Sequence, residues 1–226
     1  MTKLIDLLHI MVLVPVTLLP IINPLSAAPV FTLTAGSEGA ATRRLARQVA
    51  INCWFVLVAS LFVGTYVLDL FGISLPIVRV GGGLLVAAMG WRMLDRNDDD
   101  EVQAAVKRRS QQVQLTDAEL MRRSFFPITF PLTAGPGTIA ASIAIGAGLP
   151  RTPALFVANA LAVTIGASLT VAVIYLTYRN APALLAKLGE VGTLVMMRLS
   201  AFVLLCIGIS IAWTGWAELN GIALPR

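Results

Sequence analysis

Two short segments hold the residues of this sequence best placed to do chemistry. Asn23-Pro24-Leu25-Ser26-Ala27-Ala28-Pro29 and Phe130-Pro131-Leu132-Thr133-Ala134-Gly135-Pro136 share the pattern Pro-Leu-[Ser/Thr]-Ala-[Ala/Gly]-Pro, and Gly137 follows the second. A proline has no N–H, and its ring clashes with the carbonyl one turn earlier. Two prolines this close together therefore break a regular helix. The break frees backbone groups, and the N-terminus of each half-helix carries partial positive charge that suits a carboxylate. Freed carbonyls, with the hydroxyls of Ser26 and Thr133, suit an ammonium group. Together these groups would recognise a small zwitterion. Asn23 has no counterpart in the second segment, where Phe130 stands, and is expected to cap the half-helix that starts at Pro24. Asn52 and Asn159 are separated by the same interval as the paired prolines. Each offers a donor and an acceptor, for an interhelical bond, for the broken backbone or for the solute.

Reaction chemistry is poorly represented. His9 is the only histidine and reads as a polar helix end. Asp6, Asp69, Glu190 and Glu218 all fall near the ends of apolar stretches. Cys53 and Cys206 lie within such stretches and read as small packing residues. An intramembrane hydrolase needs a positioned nucleophile and base, paired acids or a metal. A thiol carrier needs a reactive cysteine beside the prolines of each half, and Ser26 and Thr133 stand there instead. The sequence is thus not expected to be an enzyme and calls for no metal or other cofactor. Its residues name no coupling ion.

The elements that position these residues follow from composition. The 226 residues are 57% apolar and 13% charged, with a mean hydropathy of +0.82. Soluble domains run near 25% charged, so this chain cannot clothe itself in water and its partner is the lipid bilayer. Six apolar segments are expected to span it, over Leu4–Leu33, Val49–Leu70, Leu75–Leu94, Phe125–Leu149, Ala154–Tyr178 and Leu194–Leu219. The first is read as a retained span rather than a signal peptide. Net charge is +5, and most Lys and Arg lie in loops near 34–48, 91–124 and 178–193. This asymmetry reads as membrane orientation rather than nucleic-acid binding, and it puts both termini outside. Trp91, Tyr178, Trp213 and Trp216 near span ends read as interfacial aromatics. The segment from Asp95 to Arg123 reads as a solvated cytoplasmic linker, acidic at Asp98–Glu101, with a capping box at Thr116–Glu119.

The matched motifs make the chain two three-span units, residues 1–94 and 124–226, joined by a linker over 95–123. Three spans are an odd number, so the second unit is inserted upside down. The fold class expected is an all-α polytopic membrane protein of two inverted three-helix repeats, with spans one and four broken at the proline motifs. Such repeats are typical of secondary transporters, whose binding sites lie at broken helices in matched positions. In the third units Arg79 is matched with Arg198, and both are expected to snorkel. Gly83, Ala87 and Gly90 share one face, as do Gly208, Ala212 and Gly215. These small-residue stripes are expected to pack against the broken helices, or between the protomers of a homo-oligomer.

At Asn23-Pro24-Leu25 with Pro29, and at Pro131-Leu132 with Ala134-Gly135-Pro136-Gly137, the chain resembles the MarC family, a group that includes small neutral amino acid transporters. The resemblance extends over nearly the whole chain. It implies a bacterial inner-membrane protein that moves neutral amino acids such as glycine or alanine. The candidate substrate-binding residues, read from the motifs and the paired asparagines, are Asn23, Pro24, Ser26, Pro29, Asn52, Pro131, Thr133, Gly135, Pro136, Gly137 and Asn159. The mechanism expected is alternating access around one small zwitterionic solute. The alternative is a channel or exporter for another small polar solute, since an inverted repeat suits a channel as well as a carrier.

Overall fold

Eight helical elements carry the described residues, and the sequence accounts for several of their starts and breaks. A computed structural model describes residues 2–35, 39–95, 121–149 and 153–223. The elements are α1 (Thr2–Ile22), α2 (Pro24–Ala35), α3 (Gly39–Leu70), α4 (Leu75–Asp95), α5 (Ser124–Thr133), α6 (Pro136–Ala147), α7 (Pro153–Arg179) and α8 (Ala181–Leu219). The acidic run, the capping box of the linker, Arg151 and Arg226 lie outside the described residues.

Among the described residues four stretches are long and apolar enough to cross a membrane: Gly39–Leu70, Leu75–Asp95, Phe156–Arg179 and Val191–Leu219. Two bent pairs bring the number to six if each pair makes one span. Leu7–Ile22 and Pro24–Ala35 meet at 57°, and Met121–Thr133 and Pro136–Ala147 at 68°. Both bends fall at the proline motifs. The outer surface is apolar to a degree only lipid can cover: Val16, Phe55 and Leu199 are each 63% exposed.

Two basic or polar loops expected from the sequence are in fact helical. α3 starts at Gly39, so Arg43, Arg44 and Arg47 sit on its first turns while Leu45 and Ala46 bury. α8 starts at Ala181, with Pro182 in its first turn, where a missing N–H costs nothing. It bends at Gly189, whose φ of 67° and ψ of −178° lie outside the helical region and suit glycine alone.

The most extensive contact in the molecule joins α4 to α8. α1 packs on α7, α3 on both α6 and α7, α4 also on α6, and α2 on α8. The small-residue stripes meet each other, which corrects the expectation that they pack on the broken helices or between protomers. A Cβ on Gly83 would meet the carbonyl of Gly208 at 2.6 Å, one on Gly208 the carbonyl of Gly83 at 2.7 Å, and one on Gly90 the carbonyl of Ala201 at 2.8 Å. Backbones this close require glycine. Exchanging Gly83 with Gly208, Ala87 with Ala212 and Gly90 with Gly215 maps these approaches onto one another. Arg79 and Arg198 do not correspond under that exchange, so their pairing in the sequence was a coincidence of local pattern. Nor does either point freely to the interface: Arg79 donates to Glu218, and Arg198 donates to the carbonyl of Leu94.

Candidate functional site

The two elbows differ in construction. At the first, Asn23 alone separates α1 from α2. It takes a left-handed conformation at φ 45°, which asparagine tolerates better than other non-glycine residues. Its carbonyl and side-chain Oδ1 both accept from the Ser26 amide, at 3.1 and 3.4 Å. Asn23 thus caps α2, as its position before Pro24 suggested. The helix then runs through Pro29 without a second break.

The second elbow is longer. Phe126 and Phe130 leave helical angles for extended ones, as residues before proline do. The turns between them are wide, and threonine hydroxyls take carbonyls five residues back. Thr129 Oγ1 donates to Ser124 and Thr133 Oγ1 to Ile128, each at 2.7 Å. The chain is extended at Gly135, and α6 starts at Pro136. A Cβ at Gly135 would meet the Pro131 carbonyl at 2.6 Å, so the turn closes only around a glycine.

The two hydroxyls that the motifs align have different surroundings. Thr133 gives its proton to Ile128, so the 2.7 Å contact with Tyr178 is a bond donated by the tyrosine. Ser26 Oγ is buried and, among the described residues, has no hydrogen-bond partner. A buried polar group in that state costs about 1–3 kcal/mol.

Tyr178 is the residue the sequence misplaced. It was read as an interfacial aromatic, yet it is fully buried, stacked on Phe31 of α2 with ring centroids 4.5 Å apart and planes within 7°. It ties the half-helix after the first elbow to the hydroxyl of the second. With Arg179 beside it at the end of α7, nothing in the local sequence marked it as buried. Trp91, Trp213 and Trp216 are exposed as expected.

Asn52 is half-buried and donates to Ser124 Oγ at 3.3 Å, while Gln48 donates to its Oδ1 at 3.3 Å. It therefore braces the start of α5. Asn159 is buried on α7.

Pro131, Thr133, Gly135 and Gly137 line a cavity of about 10 Å³, with Ile21, Val86 and Leu204 among its walls. That is room for one water at most. Asn23, Pro24, Ser26, Pro29, Asn52 and Asn159 are not on its walls. A larger cavity of about 410 Å³ is walled by the same helices closer to one end of the bundle, with Thr17 of α1, Arg79 of α4, Ala141 of α6 and Thr214 of α8. The structure thus has a wide vestibule and a nearly closed inner chamber at the second elbow.

Apolar helices that only lipid can cover, with two pairs of them meeting at proline elbows, define a multi-pass integral membrane protein. The family comparison agrees: the model of the MarC family integral membrane protein matches residues 8–219. The inner membrane protein MarC of Escherichia coli O157:H7 is 31% identical over 207 residues, covering 90% of this chain and 92% of the relative. Its counterpart in Escherichia coli strain SMS-3-5 is 32% identical over 209 residues, and that in Shigella flexneri 31% over 207, with the same coverage. The chain belongs to the MarC family. No solved structure matches it.

Proposed function

We propose that this protein is a secondary transporter that carries small neutral amino acids, of glycine or alanine size, across the bacterial inner membrane by alternating access. The observation that carries the reading is the pair of proline elbows, which break apolar helices at corresponding places in the two halves. Broken backbone at membrane depth is tolerated only where it is buried in protein or lines a watered cavity, and in transporters such breaks build the site. The inner-membrane setting also accords with the name of the relatives.

The inverted repeat is part of this reading. Exchange of the halves turns the α1–α7 contact into α5–α3, the α3–α6 contact into α7–α2 and the α4–α6 contact into α8–α2, while α4–α8 and α3–α7 map onto themselves. All of these contacts are present, which supports two units related by a pseudo-two-fold axis. The uncommitted hydroxyl of Ser26 supports a polar ligand at the first elbow. Thr133 serves the site indirectly, by holding Tyr178 across the path. In this reading the vestibule opens outward, on the side of both termini, and the Tyr178–Phe31 stack closes the inward path.

Counterflow in proteoliposomes tests the reading. Vesicles loaded with unlabelled glycine, alanine or serine should transiently accumulate the labelled amino acid from outside. No accumulation for any of the three, with folded protein, overturns the substrate assignment. Flux without exchange favours a channel for a small polar solute.

A further inference from the structure

Among the described residues the vestibule has one charged feature, and neither elbow accounts for it. Arg79, on the first turns of α4, lines the cavity and donates to Glu218 on the last turn of α8. Their side chains are 25% and 36% exposed. A pair this exposed adds little to stability. α4 and α8 do not need it as a tie, because their backbones already interlock along the glycine stripes.

The local geometry sets Arg79 on the cavity wall, with Glu218 beside it as its partner. Gly215 allows α4 to come close: a Cβ there would meet Arg79 Cβ at 2.8 Å. Glu218 lies three residues further on the same helix face. Thr214, one turn before Glu218, also lines the vestibule. It donates to the Ser210 carbonyl at 2.9 Å, so its oxygen keeps acceptor capacity for an ammonium group. The remaining walls are largely apolar, with Ile10, Leu13 and Ile211 among them.

We infer that Arg79 and Glu218 form the outer recognition site for a zwitterion: the solute's carboxylate takes the place of Glu218 on the guanidinium, and its ammonium takes the place of Arg79 on the carboxylate. This rests on the amino acid reading above and adds to it a point of first contact. The inner chamber, at about 10 Å³, is too small for even glycine in this conformation. The vestibule, at about 410 Å³, lies within the usual range of ligand pockets. Exchange of one ion pair for two equivalent ones leaves no charge unpaired, so a zwitterion is admitted while a solute of a single charge leaves one partner bare.

The test is direct binding to the purified full-length chain, with glycine, acetate and glycinamide as probes. Acetate lacks the ammonium and glycinamide the carboxylate. The native protein should prefer glycine over both. R79Q should weaken glycine binding about tenfold or more and abolish the preference over glycinamide. E218Q should abolish the preference over acetate. A residue that merely ties two helices would lower affinity without altering either preference. If R79Q does not fold, the neutral double variant R79Q/E218Q, which leaves no charge unpaired, should lose both preferences. Glycine binding by the native protein with both preferences intact in the folded variants overturns the inference and leaves the transport reading standing. Failure of the native protein to bind glycine, while folded, overturns both.

Discussion

At the scale of the residue, Ser26 and Thr133 carry the same chemistry at the same motif position and are expected to respond in opposite ways to its removal. Thr133 Oγ1 is committed to Ile128 and Tyr178. Thr133→Val removes both bonds and leaves a buried tyrosine hydroxyl without its acceptor, a loss of about 1–3 kcal/mol. The melting temperature in detergent should fall. Ser26→Ala removes a buried oxygen that has no partner among the described residues, so the melting temperature should hold or rise. Glycine counterflow should nevertheless fall by about tenfold, as expected for the loss of a hydrogen bond to a charged group. Equal destabilisation by the two changes would show that Ser26 is a structural hydroxyl like its counterpart. Tyr178→Phe separates the bond from the ring: it keeps the stack on Phe31 and loses about 1 kcal/mol, whereas Tyr178→Ala also loses the packing, at about 3–5 kcal/mol in total. Thermal unfolding of the two variants side by side measures the difference.

At the scale of the element, the α4–α8 crossing makes the most demanding packing in the molecule. Gly83 faces the backbone of Gly208, and Gly208 that of Gly83. Alanine at either position must push two helices apart, at about 1–3 kcal/mol or more. Gly81, two residues away on the same helix, has open space around its Cα. There alanine should be neutral or stabilise by up to about 1 kcal/mol, because glycine is the poorer helix former. Unfolding of Gly83→Ala and Gly81→Ala tests whether the stripe or glycine content as such matters. The comparison also shows what could be read in the sequence. The elbows were legible because a proline weakens a helix within one turn, but which proline breaks it was not, since α1 and α2 run through Pro15, Pro20 and Pro29. Helix types and approximate spans were legible because apolar length is a local property. The stripes announced a close approach, but glycine spacing is silent on which helix approaches. Tyr178 looked interfacial because a ring near a span end suits the headgroups and the core equally, and only its contacts with Phe31 and Thr133 decide between them. The helical turns before Val49 and Leu194 were missed because charged and small residues there lower the hydropathy without opposing a helix.

At the scale of the whole molecule, the transport reading fixes a sidedness that the cavities make measurable. The vestibule lies at the end of the bundle where α1 and α4 begin and α6 and α8 finish, as Ile10, Arg79, Gly148 and Thr214 on its walls require. Basic residues concentrate at the opposite end, on the first turns of α3 and the last turns of α4 and α7. The positive-inside rule predicts that this opposite end faces the cytoplasm, so the vestibule should open to the periplasm. Cysteine labelling can decide this. Cys53 is buried and needs no replacement, while Cys206 is exposed and is changed to serine as background. In that background, Thr214→Cys should react with a membrane-impermeant maleimide in right-side-out membranes and be protected in inside-out vesicles. Thr138→Cys, on the wall of the inner chamber and buried, should resist the reagent from both sides in this conformation. Under alternating access, saturating glycine should raise the reactivity of Thr138→Cys from the cytoplasmic side and lower that of Thr214→Cys from outside, because a carrier cannot open both sides at once. Labelling of Thr214→Cys only in inside-out vesicles would reverse the orientation. Simultaneous access to both cysteines from the outside in the presence of glycine would describe a channel, and the elbows would then be the lining of its pore.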